Sequence, residues 1–269
     1  MKAKEIYEKY SKHRQTLRYL GKEYGKTEKT IRKYLDRYFA VTGEIKVPQI
    51  PVNLVLDATF FGRKGGVLVA RADGKNVFWR EIETESIAVY ESFLGDYTYV
   101  GGKLLSCTID GRRGVLQLIC RMFPGLPVQL CQFHQIQIIT RYLSKRPKLL
   151  AGKTLRNLTL LLTKTTKEEF IYQLNQWHHI WKEFLKEKTM HPQTGRRSYT
   201  HRRIRSAYRS LKTNLPWLFT YQDHPHLNIP NTTNSCDGSF AHWKNKIKIH
   251  RGLSPKRKRK MILFFLENS

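Results

Sequence analysis

Along the first 40 residues the apolar side chains recur at helical spacing. Tyr7, Tyr10, Leu17, Leu20 and Tyr24 share one face, and Ile31, Tyr34 and Leu35 share another. Between them, Gly25 suits a left-handed turn and Thr27 suits the N-cap of the following helix. The pattern predicts a helix-turn-helix over residues 1–40, with Glu28, Lys29, Arg32 and Lys33 on its exposed side. A plain helical hairpin packed on a core would show the same spacing. Residues 41–52 hold Pro48 and Pro51 and read as a linker. From residue 53 the period changes. Residues 53–60, 66–72 and 76–82 are rich in strand formers, with Asp73-Gly74 as a hairpin signal. A helix over 86–95, a strand over 104–109, a helix over 114–122, a short strand over 127–131 and a helix over 133–143 follow. Residues 144–220 lack strand alternation and read as helical. Residues 235–249 and 255–267 read as two closing helices.

The order βββαβαβα, a three-strand meander followed by αβ units, matches the ribonuclease H topology. The predicted class is α/β, with a ribonuclease H-like core over 53–143, a helical insertion over 144–230, and the last core helices and a basic tail over 231–269. Asp57 then lies on the central first strand, in Asn53-Leu-Val-Leu-Asp-Ala-Thr-Phe60. Asp110 closes the fourth strand beside it, just before Gly111-Arg-Arg-Gly114. The carboxyl ends of parallel strands form a crevice where active sites sit.

Charge sharpens this picture. Lys and Arg number 49 against 21 Asp and Glu, a net +28. Residues 47–135 carry 9 basic and 8 acidic groups, whereas residues 136–230 carry 18 and 5. A nearly neutral segment holding two carboxylates lies between basic flanks, as expected of a cation-binding core with phosphate-gripping arms. Three of the four cysteines fall in apolar runs and no long apolar segment occurs, which predicts a reducing, cytoplasmic setting and no membrane partner.

Each candidate has a plainer explanation. Asp57 could face solvent from its strand, Asp110 could cap a helix, and Asp237 sits at a helix start where Asp is common. Together, in these slots, they point to a pair of divalent metals and phosphoryl chemistry. Cys131-Gln-Phe-His134 invites a zinc reading, but zinc takes four ligands and no second pair has suitable spacing. Trp177 and Trp181, at helical spacing, are expected in the core; Trp217 is the better candidate for stacking on a base.

These residues resemble the Mutator-like DDE transposase superfamily, in its bacterial insertion-sequence group with an N-terminal helix-turn-helix. The likeness rests on Leu56-Asp57-Ala-Thr-Phe60, Thr108-Ile-Asp110-Gly111, Gln129-Leu-Cys131-Gln-Phe-His134, Asn231-Thr-Thr-Asn-Ser-Cys-Asp237-Gly-Ser-Phe240, Lys244, Lys246 and His250-Arg-Gly-Leu253. It covers nearly the whole chain. It implies metal-dependent DNA cleavage and strand transfer, with two Mg²⁺ or Mn²⁺ ions on Asp57, Asp110 and Asp237; the alternatives are a catalytically inactive DNA-binding relative and a structure-selective nuclease of the same fold without strand transfer. It places Cys131, His134 and Asn234 beside the active site and not on zinc. Its expected partners are double-stranded DNA, both transposon ends and target, and a second copy of the chain. The expected setting is the nucleoid. DNA contacts are expected from Lys29, Arg32, Lys33, Arg112, Arg113, Trp217, Lys244, Lys246, Lys248, His250 and Arg251. In the family Glu is usual where this sequence has Asp237, and the zinc ribbon that relatives often carry ahead of the helix-turn-helix is not expected in it.

Overall fold

The computed structural model describes residues 2–38, 47–62, 65–250 and 252–268. The first half of the linker expected over 41–52 lies outside them. The class is mixed α/β, with a five-stranded sheet in the order β3-β2-β1-β4-β5. The strands are β1 (Pro51–Phe60), β2 (Gly66–Ala72), β3 (Lys75–Ile82), β4 (Lys103–Ile109) and β5 (Val128–Leu130). Contacts divide the chain into two compact units. One comprises Pro48–Asp57 and Glu85–Asn234; the other comprises Met1–Val47, Ala58–Thr84 and Ser235–Ser269.

In the first unit β1 and β4 pair in parallel, as do β4 and β5. Leu54, Val55, Cys107 and Ile109 are buried, giving the apolar runs expected of strands covered on both faces. Helix α4 (Ile87–Tyr99) starts on Ser86, whose side chain accepts the Val89 N–H. It buries Tyr90, Phe93, Leu94 and Tyr97, one stripe at helical spacing. Its exit needs Gly102, because a Cβ there would lie 2.4 Å from the Tyr97 ring. Helix α5 (Arg113–Met122) buries Val115, Leu116, Leu118 and Ile119. Helix α6 (Gln132–Leu143) follows β5 directly.

The insertion contains α7 (Leu150–Leu160), α8 (Lys167–Trp181), α9 (Arg202–Leu218) and α10 (Thr220–Asp223). Trp177 is buried as expected, and its indole N–H donates to Ala151 O at 3.1 Å and Thr154 Oγ1 at 3.0 Å. Trp181 is only half-buried, its ring edge against Phe184. The insertion is not wholly helical. Strands β6 (Lys188–Met190) and β7 (Arg197–Tyr199) form an antiparallel hairpin. Both are short and mostly exposed, so no face is buried and no alternation marks them.

In the second unit, α1 (Lys2–Ser11), α2 (Leu17–Glu23) and α3 (Glu28–Arg37) pack around fully buried Leu20 and Ile31. Gly25 has φ +59°, and Thr27 caps α3 by accepting the Thr30 N–H. Strands β2 and β3 are joined at Asp73 and Gly74, both with positive φ, as the tight primed hairpin turns require. Helices α11 (Asn234–Ile249) and α12 (Pro255–Glu267) complete the unit. Asp36 of α3 pairs with Arg257 of α12 through its Nε at 2.7 Å, and Tyr7 meets Phe264 edge-on at 5.1 Å. The first three helices and the closing helices therefore share one unit.

Candidate active site

Strands β1 and β4 run in parallel with Val55 opposite Thr108. Two residues further along each strand come Asp57 and Asp110. In a parallel pair that step keeps both side chains level and on one face, with the strands about 4.8 Å apart. Both residues are half-buried. Beneath them is Tyr90 of α4, only 2% exposed, whose hydroxyl donates to Glu85 Oε1 at 2.8 Å. Burial pushes the Tyr90 phenol upward, and the charges of Glu85, Asp110 and Asp57 add to it. All three carboxylates are thus within electrostatic reach of one hydroxyl.

Asp110 Oδ1 accepts the Arg112 backbone N–H at 3.2 Å. Arg112 turns its guanidinium to Glu85, 2.8 Å from Oε1. Burial raises the Asp110 carboxyl above its ordinary value. The like charge of Glu85 raises it further, against the lowering effects of the Arg112 N–H, His134 and the Arg112 charge. This carboxylate therefore sits where negative charge is costly and a cation would relieve it.

Cys131, 1% exposed, is the N-cap of α6. Its sulfur accepts the backbone N–H groups of His134 at 3.4 Å and Thr233 at 3.2 Å. Thr233 Oγ1 lies 3.4 Å from that sulfur and 3.2 Å from His134 Nδ1. Burial works to raise the thiol, but hydrogen bonds from His134 and Thr233 outweigh it and hold the thiol below its ordinary value. Cys131 and His134 are thus tied into one hydrogen-bonded group with Thr233.

Polar side chains hold the segment carrying Thr233 over the strand ends. Asn53 Nδ2 donates to Leu227 O at 2.6 Å and Thr108 Oγ1 donates to Pro230 O at 2.8 Å. Gln132 accepts from Asn231 Nδ2 at 3.1 Å and donates to Leu218 O at 2.8 Å. Gln129 donates to Leu218 O at 2.9 Å and accepts the Tyr221 N–H at 3.0 Å. Sequence reasoning missed Glu85, Tyr90, Thr233 and these glutamines as parts of the site. Glu85 was the most findable, as an acid next to the Ser86 cap in a nearly neutral segment. The glutamines carry no signal of their burial.

No protein-family model matches the chain, and no curated protein matches it. The site's chemistry is therefore argued from its geometry. Among the described residues no three His, Cys, Asp or Glu side chains are grouped so as to hold a metal ion. What the fold brings together is the pair Asp57 and Asp110, hard oxygen donors suited to Mg²⁺ or Mn²⁺. Asp237, half-buried in the first turn of α11, belongs to the other unit; Asn234 begins that helix and is exposed.

The expected DNA contacts divide. Lys29, Arg32 and Lys33 are exposed on α3, and Arg112 and Arg113 are exposed at the start of α5. Trp217 is half-buried near the end of α9. Lys244 and Lys248 are exposed and, with Phe60, Phe61 and Lys258, line a cavity of about 450 Å³. Two expectations need correction. Lys246 is only 9% exposed, its ammonium 5.5 Å from the Phe265 ring centre. His250 is 8% exposed, with its ring stacked on Tyr10 at 3.9 Å. Lys246, on the inward side of α11, and His250, just past the end of that helix, are both buried against these rings, and His250 also lines the cavity with Lys244 and Lys248. Arg251 lies outside the described residues.

Among the described residues no helix is long and apolar enough to cross a membrane.

Proposed function

We propose that this protein is a DNA transposase of ribonuclease H-like fold, cleaving and joining DNA strands with Mg²⁺ or Mn²⁺. One observation carries the reading: Asp57 on β1 and Asp110, the residue just past the end of β4, each follow by two residues the registered parallel pair Val55 and Thr108. The element order of the sheet and the family resemblance support the same reading. Asp57 and Asp110 would hold the cation, which supplies charge stabilisation for an in-line phosphoryl displacement and a deprotonated nucleophile at neutral pH. Asp237 is assigned as the third ligand by its place in the resemblance.

The chain's own residues have defined tasks. The Arg112 N–H fixes the rotamer of Asp110 through its 3.2 Å bond. Arg112 neutralises Glu85, so that this acid does not compete as a ligand. The Cys131–His134–Thr233 group anchors the start of α6 beside Asp110 and keeps the crevice wall rigid. Exposed Arg113 at the start of α5 is placed to grip a phosphate. Lys29, Arg32 and Lys33 read the transposon end, and two copies of the chain join two ends.

The test uses a duplex carrying the DNA that flanks the gene, with Mg²⁺ or Mn²⁺, and follows both nicking and joining. Wild type should do both, and Asp237→Ala should do neither. Nicking without joining would make the protein a nuclease. An inert wild type with cleavage restored by Asp237→Glu would make it a DNA-binding relative with a lesion.

A further inference from the structure

Helix α6 carries His134, Ile138, Arg141 and Tyr142 on one stripe, at the i, i+4, i+7 and i+8 positions. Helix α9 packs against α6, and Gln135 ties the two by donating to Ser210 Oγ at 3.1 Å and accepting from Asn214 Nδ2 at 2.8 Å. Where Arg141 and Tyr142 end the α6 stripe, Arg202, Arg203 and Ser206 of α9 face them, with Ile138 at the base. These six residues line a groove of about 440 Å³.

Three guanidinium groups converge there. Among the described residues none of the three is within ion-pair distance of a carboxylate. Nearby Arg205 differs, for it donates to Leu185 O at 2.6 Å and stacks on Tyr199. The first turn of α9 contains no acid, so Arg202 and Arg203 also add to the positive end of the helix dipole. Such a cluster is destabilising on its own and is relieved by an anion. Guanidinium forks match phosphate oxygens in pairs, and Tyr142, 38% exposed, offers a ring and a hydroxyl at the same edge.

One lining residue of the groove reaches the turn that carries Asp110. Ile138 abuts Gly111, since a Cβ added there would lie 3.0 Å from Ile138 Cδ1, and Gly111 follows Asp110. From His134 to Arg141 is about 10 Å along the helix, or about three nucleotides at roughly 3.4 Å per nucleotide of one strand. We infer that the groove between α6 and α9 is a phosphodiester clamp that holds the DNA backbone about three nucleotides from the position presented to Asp57 and Asp110. Its identity as a DNA clamp rests on the transposase reading.

The test measures binding of an arbitrary duplex of about 40 base pairs in buffer containing EDTA, across a range of salt concentration. Arg202→Ala/Arg203→Ala should lose two phosphate contacts. The ratio of affinities at about 50 mM and about 200 mM salt should then fall about 12-fold relative to wild type. Arg141→Ala, on the other helix, should lower it about 3.5-fold by the same slope. Circular dichroism melting checks that each variant is folded. An unchanged salt dependence in folded variants overturns the clamp, as does a wild type that binds no duplex. Variants that lose salt dependence as predicted, in a protein that never nicks DNA, keep the groove as a phosphate-binding site and remove both the transposase reading and the clamp's place beside a cleavage site.

Discussion

Replacing Asp110 with Asn should stabilise the metal-free protein, although it removes a residue on which the proposed activity depends. Asp57 and Asp110 each follow by two residues the last registered pair of β1 and β4, neighbouring parallel strands about 4.8 Å apart. Glu85 is the like charge that bears on Asp110, with Asp57 on the neighbouring strand; a carboxylate about 5 Å away, at an effective dielectric constant of about 20, repels by about 3 kcal/mol. Both side chains are half-exposed, so solvent screening brings this to about 1 kcal/mol. Asparagine keeps Oδ1 for the Arg112 N–H, so the turn after β4 survives the change. Burial and Glu85 hold the Asp110 carboxyl above its ordinary value. The folded state therefore binds the proton more tightly than the unfolded one. Wild-type stability falls as pH rises from the ordinary carboxylate range through the raised value, and stays lower above it. Urea unfolding in EDTA should give Asp110→Asn a higher midpoint at neutral pH, by about 1 kcal/mol. The difference should vanish below the ordinary carboxylate range, where both side chains are neutral. A variant less stable than wild type at neutral pH, or a gap that widens in acid, would refute the electrostatic account of this site.

Thr27→Ala removes the cap of α3 and should lower stability by about 1 kcal/mol in urea unfolding. Gln132→Leu removes the acceptor of the half-buried Asn231 amide and one of two donors to Leu218 O, and should lower stability by about 1 kcal/mol by the same measurement. Thr233→Val removes the hydroxyl shared by Cys131 and His134. The Cys131 thiol should then titrate at higher pH, as followed by ultraviolet thiolate absorbance and assigned by difference from Cys131→Ser.

The regular elements were legible because their physics is local. The alternation in 53–82, the Asp73-Gly74 turn and the Thr27 cap each left a mark in sequence, and each element lies within a few residues of its expected place. The placement of Asp57 beside Asp110 followed from the strand order. The hairpin over 188–199 was hidden because strands with no buried face need no alternation. Lys246 and His250 were misplaced for a related reason. Charge suggests exposure, but a long stem against Phe265 and a ring against Tyr10 let each pack inward. The buried glutamines were invisible because their partners are backbone carbonyls and amides brought from distant segments.

Nicking of supercoiled plasmid DNA in Mn²⁺ measures whether Asp57 and Asp110 carry metal-dependent phosphodiester chemistry. Wild type, Asp57→Asn and Asp110→Asn would be compared at equal DNA occupancy, with occupancy measured in EDTA. Wild type should nick with the metal and not without it, and neither variant should nick above background while duplex affinity persists. Nicking that survives in both variants would place the chemistry elsewhere in the molecule and contradict the account.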